Sequence, residues 1–128
     1  MSFTTSKIQS VWEKGREVSG CDKDVWRKDF CDAWICRTEY GNRSSEYGWE
    51  IDHVYPIDKL QEKNIPQSKW NEMANLRPMH WENNNSKDND YPRYTAVKTS
   101  EGNKNINETS TRTIPESLQT KLKALYNI

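Results

Sequence analysis

The stretch EYGWEIDHVYP, Glu46–Pro56, decides how the rest of this chain is read. Its β-branched and aromatic residues predict a strand, and Pro56 ends it. By alternation Trp49, Ile51 and His53 share one face, while Glu50, Asp52 and Val54 share the other. Packing explains Trp49 and Ile51 but not a carboxylate and an imidazole side by side. That pair is useful only where the strand breaks and both side chains reach one cleft.

Just upstream, AWICRTEY (33–40) is another strand-like run, and GNRSSE between the two is a cluster of turn-forming residues. The pattern predicts a β-hairpin over about 33–40 and 47–55. Towards the N-terminus, Ile8, Val11, Trp12 and Val18 lie near one helical stripe that Thr5 or Ser6 could cap. In DKDVWRKDF, Trp26 and Phe30 are four apart, which predicts a second short helix and completes a helical segment over 5–30.

Beyond Pro56 the chain reads as irregular up to Pro78, with prolines as breaks, and MHWENNNSK then reads as a short helix. Residues 88–113 are dominated by Asn, Ser, Thr, Asp and Lys and predict a polar surface excursion. The end is amphipathic: Ile114, Leu118, Leu122 and Leu125 form one stripe over 114–127, with Thr113 and Glu116 spaced as a capping box. This helix is expected to dock on the body.

Bulk composition bounds the fold and the partners. At 128 residues one domain is expected, 1–128. Only 33% of the residues are hydrophobic, so the six Trp and six Tyr must supply much of the core area. Basic and acidic residues balance at 19 each, which argues against tight non-specific nucleic-acid binding without excluding a local basic strip. No window approaches the roughly 18 apolar residues of a membrane span, and the first residues lack the apolar run of a signal peptide, so no membrane partner and a cytoplasmic location are expected. Cys21, Cys31 and Cys36 form no C-x-x-C pair, so neither a disulfide framework nor a structural zinc is expected. A zinc site from Cys31, Cys36 and His80 is the remaining arrangement.

Two groups carry chemistry: Asp52-His53, and Asn75 followed by His80 and Asn84, which are four apart on one helical face. A carboxylate, an imidazole and an amide oxygen suit a hard or borderline divalent metal such as Mg²⁺ or Mn²⁺. An imidazole left off the metal can take a proton from water. Metal, carboxylate and free imidazole together suit phosphodiester hydrolysis.

GWEIDHVYP (48–56) and NLRPMHWENNNSKDNDYP (75–92) resemble the HNH endonucleases, the ββα-metal nucleases, and AWICRTEYGNRSSEYGWEIDH resembles the opening of a bacterial or phage-type subgroup of small HNH proteins. The resemblance covers about residues 25–92. It implies an α+β fold with a small ββα-metal core over about 33–90, a β-hairpin followed by a short helix, flanked by N- and C-terminal helices. It implies metal-dependent hydrolysis of DNA to 5′-phosphate and 3′-hydroxyl ends, with RNA still open as a substrate. Asp52 would be the first metal ligand, His53 the general base, Asn75 the residue that orients it through a loop hydrogen bond, and Asn84 the closing ligand.

His80 takes the place of the first Cys of a zinc-binding C-x-x-C in relatives, and Asn83 that of the second. It stays open as a third metal ligand, a phosphate contact or a packing residue. Arg77, Lys87 and Arg93 are candidate phosphate contacts, and Arg43 a further one. The segment 58–74 is longer than in many relatives and lacks their Gly-Gly; its Lys59, Lys63 and Lys69 could face phosphate. One such site cuts one strand, so a double-strand break needs a homodimer or two nicks, and a protein partner could supply specificity. The competing reading is a non-catalytic nucleic-acid-binding or partner-docking module on the same fold.

Overall fold

The computed structural model describes residues 3–128. They form a mixed α and β structure with four α-helices and three two-stranded antiparallel sheets. In chain order these are α1 (Thr5–Trp12), β1 (Trp26–Lys28), β2 (Trp34–Cys36), β3 (Trp49–His53), α2 (Ile57–Glu62), β4 (Leu76–His80), α3 (Trp81–Lys87), β5 (Arg93–Glu101), β6 (Lys104–Thr113) and α4 (Glu116–Tyr126).

The hairpin expected over 33–40 and 47–55 does not form. Instead β2 pairs with β1, and β3 pairs with the distant β4 in the register Asp52 opposite Arg77 and Ile51 opposite Pro78. Pro78 is tolerated because β4 has a partner on one side only, so its missing N–H faces no ladder. The chain from 41 to 48 still touches the first pair, since Cys36 N–H donates to the Tyr47 carbonyl. Gly48 is required there: a Cβ would lie 1.9 Å from the Asn42 carbonyl oxygen. The Gly48 carbonyl in turn accepts the Trp81 N–H and fixes the start of α3.

The helix expected in DKDVWRKDF is also absent; Trp26–Lys28 is strand β1 and Phe30 is exposed. Aspartates at either end divert the backbone into turns: the Asp22 carboxylate accepts the Asp24 N–H, and the Asp29 carboxylate accepts those of Cys31 and Ala33. The polar excursion expected over 88–113 is a long hairpin, with Tyr94, Ala96 and Lys98 alternating into the interior from β5. Gly102 (φ +63°) turns the chain between Glu101 and Lys104.

α1 is capped by Thr4, whose Oγ1 accepts the Lys7 N–H, rather than by Thr5 or Ser6. α4 begins after Pro115 with no side-chain cap, because Thr113 is still in β6. The helix docks as expected: Ile114, Leu122 and Tyr126 are buried with Val54, Leu60, Met79 and Tyr94. A second cluster joins Val11, Trp12, Ile35, Trp49, Ile51 and Leu76. β4 contributes to both clusters, Met79 to the first and Leu76 to the second, and β3 contributes Trp49 and Ile51 to the second, so this ladder anchors the cleft at its end in the core. None of the helices among the described residues is long and apolar enough to cross a membrane.

Candidate functional site

A polar cleft of about 250 Å³ opens where β3 ends, lined by Asp52, His53, Asn84 and Arg43 together with Ile51, Pro56, Ile57, Asn85, Asp88 and Asn89. Thus the Asp52-His53 pair and Asn84, more than 30 residues further along the chain, converge on one surface. Asp52 and His53 are adjacent in sequence yet both reach it, because the strand stops at His53 and Pro56 turns the chain into α2.

His53 is half-buried, with the Phe3 ring 6.1 Å away and tilted against it. Its Nε2 lies 2.7 Å from Asn71 Oδ1. An amide oxygen only accepts, so Nε2 carries the proton and the lone pair of the neutral ring is on Nδ1. Burial pushes the imidazole below its ordinary value, and Lys87 adds to this, against the Asn71 bond and the Asp52 charge. Asn71 and Phe3 were not foreseen from the sequence. Both are brought in by tertiary packing from segments that carry no recognisable spacing to the Asp-His pair.

Asn75 is fully buried and clamps the turn after His53, accepting the Tyr55 N–H at 2.7 Å and donating to the Tyr55 carbonyl at 3.1 Å. Its own carbonyl accepts the Val54 N–H. It therefore holds the backbone of the loop, while Asn71 holds the ring.

Asp52 is only 3% exposed and sits between two buried cations. Arg77 Nε donates to Oδ2 at 2.9 Å, and Lys87 Nζ lies 3.3 Å from Oδ1. Lys87 also donates to the carbonyls of His53 and Val54, tying α3 to the end of β3. Burial pushes Lys87 below its ordinary value, with Asp52 opposing. These two residues were expected as candidate phosphate contacts; the structure buries both against Asp52 instead. Arg93 is exposed at the start of β5, outside the cleft lining. Arg43 is the cation at the cleft: it forks onto Glu50 at 2.7 and 3.0 Å and lies over the Trp81 ring. Burial of Glu50 works against its charge, but the bonds from Arg43 and from Asn84 Nδ2 hold its carboxyl below the usual range.

His80 does not reach the cleft. It is fully buried at the start of α3, where Nε2 donates to the Glu46 carbonyl at 2.8 Å and Nδ1 accepts the Glu82 N–H at 3.1 Å. Neither nitrogen is left for a metal or a phosphate, so of its three roles packing is the one this geometry allows. Asn83 is likewise buried, donating to Asp29 Oδ2 and the Lys98 carbonyl and accepting the Val97 and Lys98 N–H groups. Asp29 is the hub: its carboxylate accepts from Cys31, Ala33, His80 and Asn83. Hydrogen bonds through Asp29 thus join the start of α3 to the β1–β2 turn, and Asn83 carries the link on to β5. Cys31 packs against Tyr94, 3.6 Å from its hydroxyl.

The cleft's donor set is compatible with a hard divalent cation. A carboxylate offers about four lone-pair sites, of which Arg77 and Lys87 each face one. Asn84 uses only its amide N–H, and its Oδ1 accepts no hydrogen bond from the described residues. Two oxygens from the protein leave the remaining positions to water and substrate, the usual arrangement for Mg²⁺. The two cations compete for the Asp52 charge, so the affinity should be weak.

No protein-family model matches the chain, and no curated protein or solved structure matches it at a significant level.

The two imidazoles predict a pH dependence. Burial pushes both His53 and His80 below 6.5. The unfolded chain therefore takes up protons first as pH falls. Stability present above 6.5 is lost as pH drops through and below that value. Urea midpoints should be flat from pH 8 to 7 and fall by pH 5; a midpoint that rises on acidification would contradict the buried neutral rings.

Proposed function

We propose that this chain is a small HNH-type, metal-dependent endonuclease that hydrolyses DNA phosphodiester bonds at the Asp52–His53–Asn84 cleft. The observation that carries this reading is the convergence of those three side chains on one polar surface, with the ring of His53 held in a single tautomer by Asn71. Strand pair β3–β4 followed directly by α3 would be its ββα core.

His53 Nδ1 accepts the proton of the attacking water. With its pKa depressed, the ring is neutral and competent across neutral pH. Asn75 fixes the backbone that follows, so the ring cannot swing out with the loop. Asp52 and Asn84 would hold one divalent cation, Mg²⁺ or Mn²⁺. When bound, it would neutralise charge developing on the phosphate and on the leaving 3′ oxygen. Arg43 is placed to meet a phosphate if it exchanges Glu50 for the substrate.

Nicking of supercoiled plasmid with Mg²⁺ or Mn²⁺, with and without chelator, tests the activity. Asn71→Ala in the same assay tests the tautomer argument: the ring loses its partner, and the rate should fall by about tenfold with the metal dependence unchanged. An Asn71→Ala protein as fast as wild type would show that the ring needs no such support.

One observation favours a second reading, a module that binds nucleic acid without cutting it: Asp52 is sealed between Arg77 and Lys87. Under that reading the protein shifts a DNA fragment in a gel, but nicking stays absent with every divalent metal.

A further inference from the structure

A second cavity, of about 360 Å³, shares no lining residue with the cleft. It lies between the end of α1's segment, β4 and α4, and its size falls at the small end of the roughly 300–1,000 Å³ typical of ligand pockets. Phe30, Pro115 and Leu118 supply apolar wall, and the charged residues that line it are all cationic: Lys14, Arg77 and Lys121. Arg77 is the unusual member. It is 5% exposed, packs 5.7 Å from the Phe30 ring centroid and 5.3 Å from that of Tyr94, and donates Nε to Asp52. Its Nη2 is buried with no hydrogen-bond partner within normal distance among the described residues, and the neighbouring Tyr94 hydroxyl eases its charge.

A buried donor left unsatisfied costs about 1–3 kcal/mol, more when charged, so proteins rarely leave one without a purpose. Lys14, held by the carbonyls of Met73 and Leu76, is pushed below its ordinary value by burial and by the Lys121 charge. With Arg77 already paired to Asp52, an anion in the cavity would still relieve the positive charge that Lys14 and Lys121 add. Phe30, 40% exposed at the rim, gives that anion an apolar body to cover. Bare phosphate would gain nothing from such walls.

We infer that this cavity binds a small amphipathic carboxylate, its anionic head on Arg77 with Lys14 and Lys121 nearby and its apolar body against Phe30, Pro115 and Leu118. The site shares no lining residue with the cleft, although Arg77 links the two through Asp52, and it does not rest on the nuclease reading.

Calorimetric titration with octanoate tests it, with octanamide as the neutral control and inorganic phosphate as the bare anion. Octanoate should bind saturably, at least about tenfold tighter than either control. Leu118→Trp, which fills the cavity and keeps every cation, should abolish binding, and Lys121→Met should weaken it about fivefold. The His53→Ala protein should bind as wild type. No saturable binding, equal affinity for octanamide or phosphate, or full affinity in Leu118→Trp would each overturn the assignment.

Discussion

His53→Ala should fold normally and lose plasmid nicking by a factor of about 10²–10⁴, the usual contribution of a positioned general base. The substitution removes the only imidazole at the cleft, since His80 is sealed behind its bonds to Glu46 and Glu82. It also removes one hydrogen bond to Asn71 and a contact with Phe3, so a modest loss of stability should accompany it. Near-ultraviolet circular dichroism separates the two effects, because six tryptophans report on the packing. In the wild type the rate should rise with pH through a value below 6.5 and then level, since burial depresses His53 and only the neutral ring accepts the proton. A profile that instead falls as pH rises through that range would assign His53 a different role.

Asp29→Ala should be the most damaging change to stability. Four N–H donors, those of Cys31, Ala33, His80 and Asn83 Nδ2, would lose their shared acceptor in a site with no exposed surface. At about 1–3 kcal/mol for each unsatisfied donor, and allowing for water entering the space, a loss of about 4 kcal/mol or more is expected. That is a large part of the roughly 5–15 kcal/mol available to a domain. Asp29→Asn should help little, because an amide NH₂ would face donors with a donor. Urea unfolding gives the measurement: a shift below about 1 kcal/mol would mean that the hub is not what ties the start of α3 to the β1–β2 turn.

The Asp-His pair, the break at Pro56, the short helix after Pro78 and the amphipathic C-terminal helix were legible because each rests on local chemistry. A strand's alternation and a helix's stripe are visible within a dozen residues. What escaped depends on distance. The partner of β3 is β4, separated from it by 22 residues, and Pro78 concealed that strand because a proline is harmless only on an unpaired side. The β5–β6 hairpin carried its own signal, a Gly102-Asn103 turn between runs of Thr and Ser, but β5 buries Lys98 where an apolar residue was sought. Lys98 is tolerated there because its ammonium reaches Glu82 and Asn107.

Within the cleft, Asp52 and His53 stood out as an adjacent pair and the resemblance singled out Asn84, whereas Arg77 and Lys87, read as phosphate contacts, are buried against Asp52. Sequence alone gives a cation near a carboxylate no depth. Opposite Asp52 in the ladder, Arg77 is drawn inward, and Lys87 follows on the inner face of α3. Asn71 was out of reach for a simpler reason: nothing in the composition of the 58–74 segment marks one amide among its polar residues.

The most direct measurement is nicking of supercoiled plasmid by wild type and His53→Ala in parallel, with Mn²⁺ or Mg²⁺ and then with chelator. The proposed site predicts cutting by the wild type that stops on chelation and is all but absent in the variant. Equal cutting by the two proteins would contradict it.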